Sequence, residues 1–204
     1  MIRHLRLSTK ITLSVSFILV MLLLSSVAAF IYYETHEFEE DIKKRALQVV
    51  AVLESVHTQA MLNRGDKIDN NPVIETLNGT FEQLSETAKD MTLWLVMGPK
   101  VQAFQEKNLS KEIEAPRDDI DRQAIETGLP VARMAGNDIF RLTRPVILGR
   151  GVASDGECFE CHGNDMGLRE GEVIGGYSIA LDVKHRRAES VATAWAAALI
   201  AIFV

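Results

Sequence analysis

The sequence predicts an α+β protein. An N-terminal transmembrane helix runs into a long helix beyond the membrane, an antiparallel sheet domain follows, and a closing helix leads into a second apolar segment. Three observations predict this. Residues 11–33, ITLSVSFILVMLLLSSVAAFIYY, contain no charged side chain. From Phe38 to Ala60 the apolar residues recur at helical spacing. From Met91 onward the period switches to the alternation of strands, broken by Gly- and Pro-containing turns.

A bilayer core takes about 20 apolar residues in a helix, so residues 11–33 suffice to span it. A cleaved signal peptide is the alternative, with Val27-Ala28-Ala29 as a cleavage site. Signal cores run about 7–15 residues, however, and the apolar run here continues through Phe30, Ile31, Tyr32 and Tyr33, which favours an uncleaved anchor. Arg3, Arg6 and Lys10 precede the span and no base follows it closely. Residues 1–10 are therefore expected in the cytoplasm and the chain from Glu34 outside it, with the two tyrosines at the outer interface.

Next, Phe38, Ile42, Ala46, Val49, Leu53, Val56 and Ala60 form a stripe close to a coiled-coil seam on a segment free of Gly and Pro. That predicts a helix ending near Asn63-Arg64-Gly65 and a homodimer packed through it. A second helix is expected over 73–91. MTLWLVM (91–97) alternates as a strand and Gly98-Pro99 reads as a turn. Residues 119–127 form a short helix ending at Gly128, and RMAGNDIFRLTRPVIL (133–148) a hairpin about Gly136-Asn137. A loop with the cysteines follows, then a strand over GEVIGGYSIALDV (171–183). The apolar run 191–204 begins with Trp195 near the interface and Lys184, Arg186 and Arg187 ahead of it. It is too short to cross and is expected to be the start of a second, truncated span, or else a short helix lying against the first.

All 28 acidic residues lie between Glu34 and Glu189, and the formal net charge is −6. An acidic body of this kind repels phosphate backbones and excludes nucleic acid as a partner.

The only two cysteines, Cys158 and Cys161, stand in GECFECHG with His162 directly after the second. A structural zinc site asks for four ligands, and no second Cys pair or closely spaced His pair accompanies this one. A redox disulfide needs no histidine after it and sits in a βαβ frame that is absent here. With 5 histidines among 204 residues, one landing directly after CxxC by chance is rare. Cys-x-x-Cys-His attaches haem c, the thiols adding to the vinyl groups and the histidine supplying the proximal nitrogen. Attachment occurs outside the cytosol, where the topology also puts residue 158. One haem c on Cys158 and Cys161 is the reading taken, with a disulfide as its main rival.

On these residues the chain resembles the periplasmic haem c sensor modules, PAS- or Cache-like, of bacterial methyl-accepting chemotaxis proteins, sensor histidine kinases and diguanylate cyclases. The resemblance rests on ESVHTQAML (54–62), RLTRPVIL (141–148), CFECHG (158–163) and GEVIGGYSIALDV (171–183), and covers most of residues 34–190. It implies a periplasmic sensor domain at 34–190 between two membrane helices of a bacterial inner-membrane receptor. Any output enzyme domain would lie beyond residue 204, so no enzymatic activity is expected within this chain.

The sixth iron position takes Met or His. The resemblance implies that a methionine at the end of the first helix approaches the haem, making Met61 the first candidate. His57, four residues earlier on the same face, is the second, and Met134 the third; an open or water-filled position is the remaining alternative. Met91 and Met97 share a strand face with Leu93 and Leu95 and read as core. Met166, four residues past His162, reaches at most ~14 Å, barely enough to round a porphyrin edge. Arg133, Arg141, Arg144 and Arg150 cluster ahead of the motif, and guanidinium groups suit haem propionates. The function expected is a receptor that senses redox state or a diatomic gas at the iron. A membrane-anchored monohaem electron carrier, meeting a redox partner, is the alternative.

Overall fold

The computed structural model describes residues 6–63, 65, 72–108 and 113–203. Arg3, Arg64 and Val204 lie outside the described residues. Among those described there are six α-helices and one four-stranded antiparallel sheet, so the α+β class holds. The chain divides into two compact units, one made of the helical segments up to Asp41 and from His185, the other Ile42–Lys184.

In the first unit, helix α1 (Leu7–Leu62) begins as an apolar rod with its large side chains exposed on all sides, from Leu7 to Tyr33. A helix that is hydrophobic all round belongs in lipid or a large core. Among the described residues it is the one helix long and apolar enough to cross a membrane. Helix α6 (Lys184–Phe203) carries the closing segment. Arg186 pairs with Asp41 at 3.4 Å, and Ser190 donates to Glu34 at 3.5 Å. As the residue number rises along α6 its partner's number falls along α1, so α6 returns antiparallel to α1.

In the second unit the strand order is β1-β4-β3-β2, where β1 is Met91–Met97, β2 Val131–Ala135, β3 Ile139–Ile147 and β4 Val173–Asp182. The register sets Leu95 opposite Tyr177 and Arg144 opposite Tyr177 on β4's two sides, so Leu95, Tyr177, Ile179, Leu142 and Arg144 share one face. Alternation puts Trp94, Ser178, Arg141 and Thr143 on the other. Ile42, Ala46, Val50 and Leu53 of α1 are buried within this unit, at steps of four, four and three. The predicted seam is thus partly spent on the chain's own core. Val52 (63% exposed) and Val56 (46% exposed) stay outside.

Helix α2 spans Pro72–Thr87 and stops short of the expected Met91, because Met91 pairs with Leu181 as the first residue of β1. Gly98-Pro99, expected as a turn, instead opens helix α3 (Pro99–Lys107) with Pro at its first position, where a missing N–H costs nothing. Helix α4 (Asp119–Thr127) follows its predicted bounds. Asp118 accepts from the Ile120 and Asp121 amides, and Gly128 closes the helix in the left-handed region at φ 65°. Pro145 fits in β3 because β2 pairs only with residues 139–143, leaving that edge open.

Where β4 runs between β1 and β3, a Cβ on Gly175 would stand 2.5 Å from the Val96 carbonyl oxygen. Gly175→Ala is therefore expected to push the strands apart and cost about 1–3 kcal/mol, read as a lowered urea midpoint at unchanged m-value. A loss below a few tenths of a kcal/mol would mean the approach is looser than this.

Candidate functional site

The cysteine segment, expected as a loop, is helical. After the tight turn at Gly149 (φ 84°), Asp155 caps the single helical turn α5 (Gly156–Cys158) by accepting from the Glu157 amide at 3.0 Å. A wide π-helical turn then carries Phe159–Asp165. Helical spacing gathers Cys158, Cys161 and His162 on one side of the segment, since residues three and four apart are neighbours. The turn is closed by the Leu168 amide donating to the His162 carbonyl at 2.9 Å. Cys158, Phe159 and Met166 pack against a small apolar cluster of Val101, Leu148, Ala153, Leu168 and Ile174, together with Met97. Both cysteines are half-buried thiols, and His162 Nδ1 is buried. Burial, with Asp155 second, pushes the Cys158 thiol above its ordinary range. Reactive CxxC thiols are shifted the other way.

The C-terminal end of α1 packs against β4 beside this segment. His57 Nδ1 and the Tyr177 hydroxyl are 2.7 Å apart, with the rings edge to face. Burial, then the nearby His162 charge, lower His57 to about 4, so His57 is neutral at physiological pH. Tyr177 is raised, first by burial and next by Glu54, so it keeps its proton. Thr58, Arg144 and Cys158 also act on that phenol. Arg144 Nη1 pairs with Glu54 at 3.2 Å. Thus His57, Tyr177, Glu54 and Arg144 gather beside Cys158 and His162.

The other expected site residues fall as follows. Met61 is half-buried one helical turn beyond His57. Met134 pairs with Phe140 on β2, four residues along β3 from Arg144, at the far end of the same face. Arg133 is exposed and opposite Arg141, on the face away from Tyr177; Arg150 is exposed. Arg141 corrects the expectation that it meets a propionate. It is 4% exposed, and its five N–H groups are committed to Asp118, Asp121, Ser178 and the Ile179 carbonyl. Of the arginines, Arg144 is the one at the site. Tyr177 and Glu54 were missed, while Met97 packs against the core as its strand position predicts. The signal for Tyr177 was in view: a lone aromatic with a polar tip in the strand GGYSIALDV.

The donor set fits haem c: two thiols three apart, an adjacent imidazole, an apolar lining and a partly exposed guanidinium for a propionate. Among the described residues no three His, Cys, Asp or Glu side chains converge as a metal-ion cage. A haem brings four nitrogens of its own and asks the protein for at most two axial ligands. No protein-family model matches this chain, and no curated protein matches it at a significant level.

Proposed function

We propose that this chain is a PAS/Cache-like haem c sensor domain of a membrane receptor, periplasmic over residues 34–190. In it Cys158 and Cys161 carry one haem c and His162 is the proximal ligand. The observation that carries the reading is the helical segment that gathers Cys158, Cys161 and His162 on one side and packs Cys158 on the apolar cluster that Met97 also meets. On that face of the sheet α1, the helix that begins as the apolar rod, brings His57 to Tyr177. Haem iron supplies a redox change and a coordination position for a small gas. The chain's own residues do the rest. His162 would bind the iron, Arg144 would offer its guanidinium to a propionate, and Met97, Phe159 and Met166 would keep water out.

A residue of α1 that joins or leaves the iron alters what α1 packs against, and α1 leads into the membrane. Moving a two-state element from 1:99 to 99:1 takes about 5.5 kcal/mol of differential binding, so one exchanged ligand suffices only if most of its binding energy reaches α1. The antiparallel return of α6 supports a second membrane segment. That favours a receptor over an anchored electron carrier, which needs one anchor only.

The test is to express the chain in a periplasm equipped for haem c maturation and purify it from membranes. The colour should survive acid–acetone extraction and denaturing electrophoresis; colour lost at either step sinks the reading. The same preparation tests the homodimer, whose contact on α1 would use the exposed Val52 and Val56 with the half-buried Val49 and Ala60 beside them. In detergent the chain should sediment as a dimer, and Val52→Glu with Val56→Glu as a monomer. Equal sedimentation of both would put any dimer contact elsewhere.

A further inference from the structure

We propose that His57, not Met61, is the sixth ligand of the iron through Nε2, and that Tyr177 is the positioning residue that accepts the proton-bearing Nδ1 and aims the ring. This rests on the haem c reading above and names the second axial residue within it.

The imidazole has two nitrogens, and the structure commits one of them. Nδ1 lies 2.7 Å from the Tyr177 hydroxyl, which leaves Nε2 as the nitrogen that a bond to iron would use. A ligating histidine holds its proton on the other nitrogen and gives it to an acceptor that fixes the ring, and the Tyr177 oxygen stands where that acceptor must stand. Tyr177 is itself held. It sits on the central strand β4 with Leu95 on one side and Arg144 on the other, 4% exposed. His57 comes from the α1 face that carries the buried Val50 and Leu53, so backbone and ring are both fixed. Met97 and Cys158 pack against one apolar cluster, and Met97 stands on the same β1 face as Leu95, which lies opposite Tyr177, so the cysteine segment and the His57–Tyr177 pair share that face of the sheet. Met61, one turn further along, stands next to the last residue of α1, Leu62, where the helix gives way to a turn. A preorganised imidazole there, rather than a mobile thioether, is what the packing supports.

The experiment uses the full chain, matured with haem and purified in detergent, with absorption and paramagnetic resonance spectra of both oxidation states and a redox titration. Wild type should be low-spin with two histidine ligands in both states and lack the thioether-to-iron charge-transfer band of Met ligation. His57→Ala should turn the haem high-spin and bind carbon monoxide at least tenfold more tightly, while Met61→Ala changes neither. Tyr177→Phe should stay low-spin with a raised midpoint potential, because an imidazole that no longer donates from Nδ1 is a weaker donor to ferric iron. A purely structural role for Tyr177 would lower the melting temperature and leave the potential unmoved.

Low spin retained in His57→Ala but lost in Met61→Ala overturns the proposal in favour of the thioether. A five-coordinate wild type whose gas complex weakens in His57→Ala also overturns it, making His57 a hydrogen-bond donor instead. Both results keep the colour on a denaturing gel. Loss of that colour in wild type is the separate failure, and it removes the haem reading along with this one.

Discussion

Cys161→Ala, expressed alongside the wild type under haem c maturation, is expected to yield protein with no haem surviving denaturing electrophoresis. In the proposed attachment two thioethers would hold the haem at fixed spacing, the second being the one adjacent in sequence to His162. Removing it separates the anchor from the axial nitrogen it positions. The substitution is small: Cys161 is half-buried and loses one sulfur, so the fold is expected to survive. Far-UV circular dichroism and the urea midpoint of the haem-free variant should match those of haem-free wild type. A colourless but folded variant is thus distinguishable from a misfolded one. Cys158→Ala should behave alike, though Cys158 packs against the Val101–Ile174 cluster and its loss will also cost some stability. If Cys161→Ala keeps a full haem stain, the haem is not held by both thiols and the Cys-x-x-Cys-His reading fails.

Much of the fold was legible because local chemistry and tertiary packing agree. The step pattern from Ile42 to Leu53 announced a helix with one buried side, and Asp118 and Gly128 marked the ends of α4 through cap chemistry that needs no tertiary partner. Gly136-Asn137 likewise marked the hairpin. Two kinds of error remained. At Gly98-Pro99 the same dipeptide serves a turn or the first position of a helix, and nothing local chooses between them.

The arginines show the second kind. Arg141 and Arg144 are an odd number of residues apart on one strand, so alternation already forbids both from facing a single ligand. Which of the two faces the cysteines depends on the register with β4, a long-range pairing that local sequence leaves undetermined. The axial candidates show the same limit. His57 and Met61 share a stripe by spacing alone, and it is Tyr177, 120 residues away, that separates them. Part of the expected seam, Ile42, Ala46 and Leu53, is buried within the chain itself, because a stripe says that a helix buries one side, not what covers it.

Asp121→Ala is expected to be the most destabilising single substitution in the sheet domain, at about 3–5 kcal/mol, the usual cost of leaving a buried charge without its partner. Domains of this size are stable by only about 5–15 kcal/mol, so the loss is a large share of the whole. Asp121 is 0% exposed and accepts five hydrogen bonds. Trp94 Nε1 and the Arg117 amide donate to one oxygen at 3.0 Å each. Thr143, Ser178 and Arg141 donate to the other at 2.6, 2.7 and 3.1 Å. Burial, the largest single influence, pushes its pKa up, but the donors outweigh it and hold the carboxyl below its ordinary 3.8. The ionised form therefore contributes stability that is present above that value and is lost as pH falls through the lowered one.

Asp121→Asn will not rescue the site. An amide has one acceptor oxygen, so its NH2 must face either the Trp94 and Arg117 donors or the Thr143, Ser178 and Arg141 donors. Arg141 would keep Asp118 but still stand buried with one carboxylate where it had two. Asp121→Leu combined with Arg141→Met should cost less than the two single changes summed, because each single change strands the other's charge. The axial spectrum of the haem should not move in any of these variants, since the network lies on the face of the sheet opposite Tyr177. Urea unfolding followed by circular dichroism measures the first effect. A loss below about 1 kcal/mol for Asp121→Ala, the scale of one ordinary hydrogen bond, would mean that Asp118 alone satisfies Arg141.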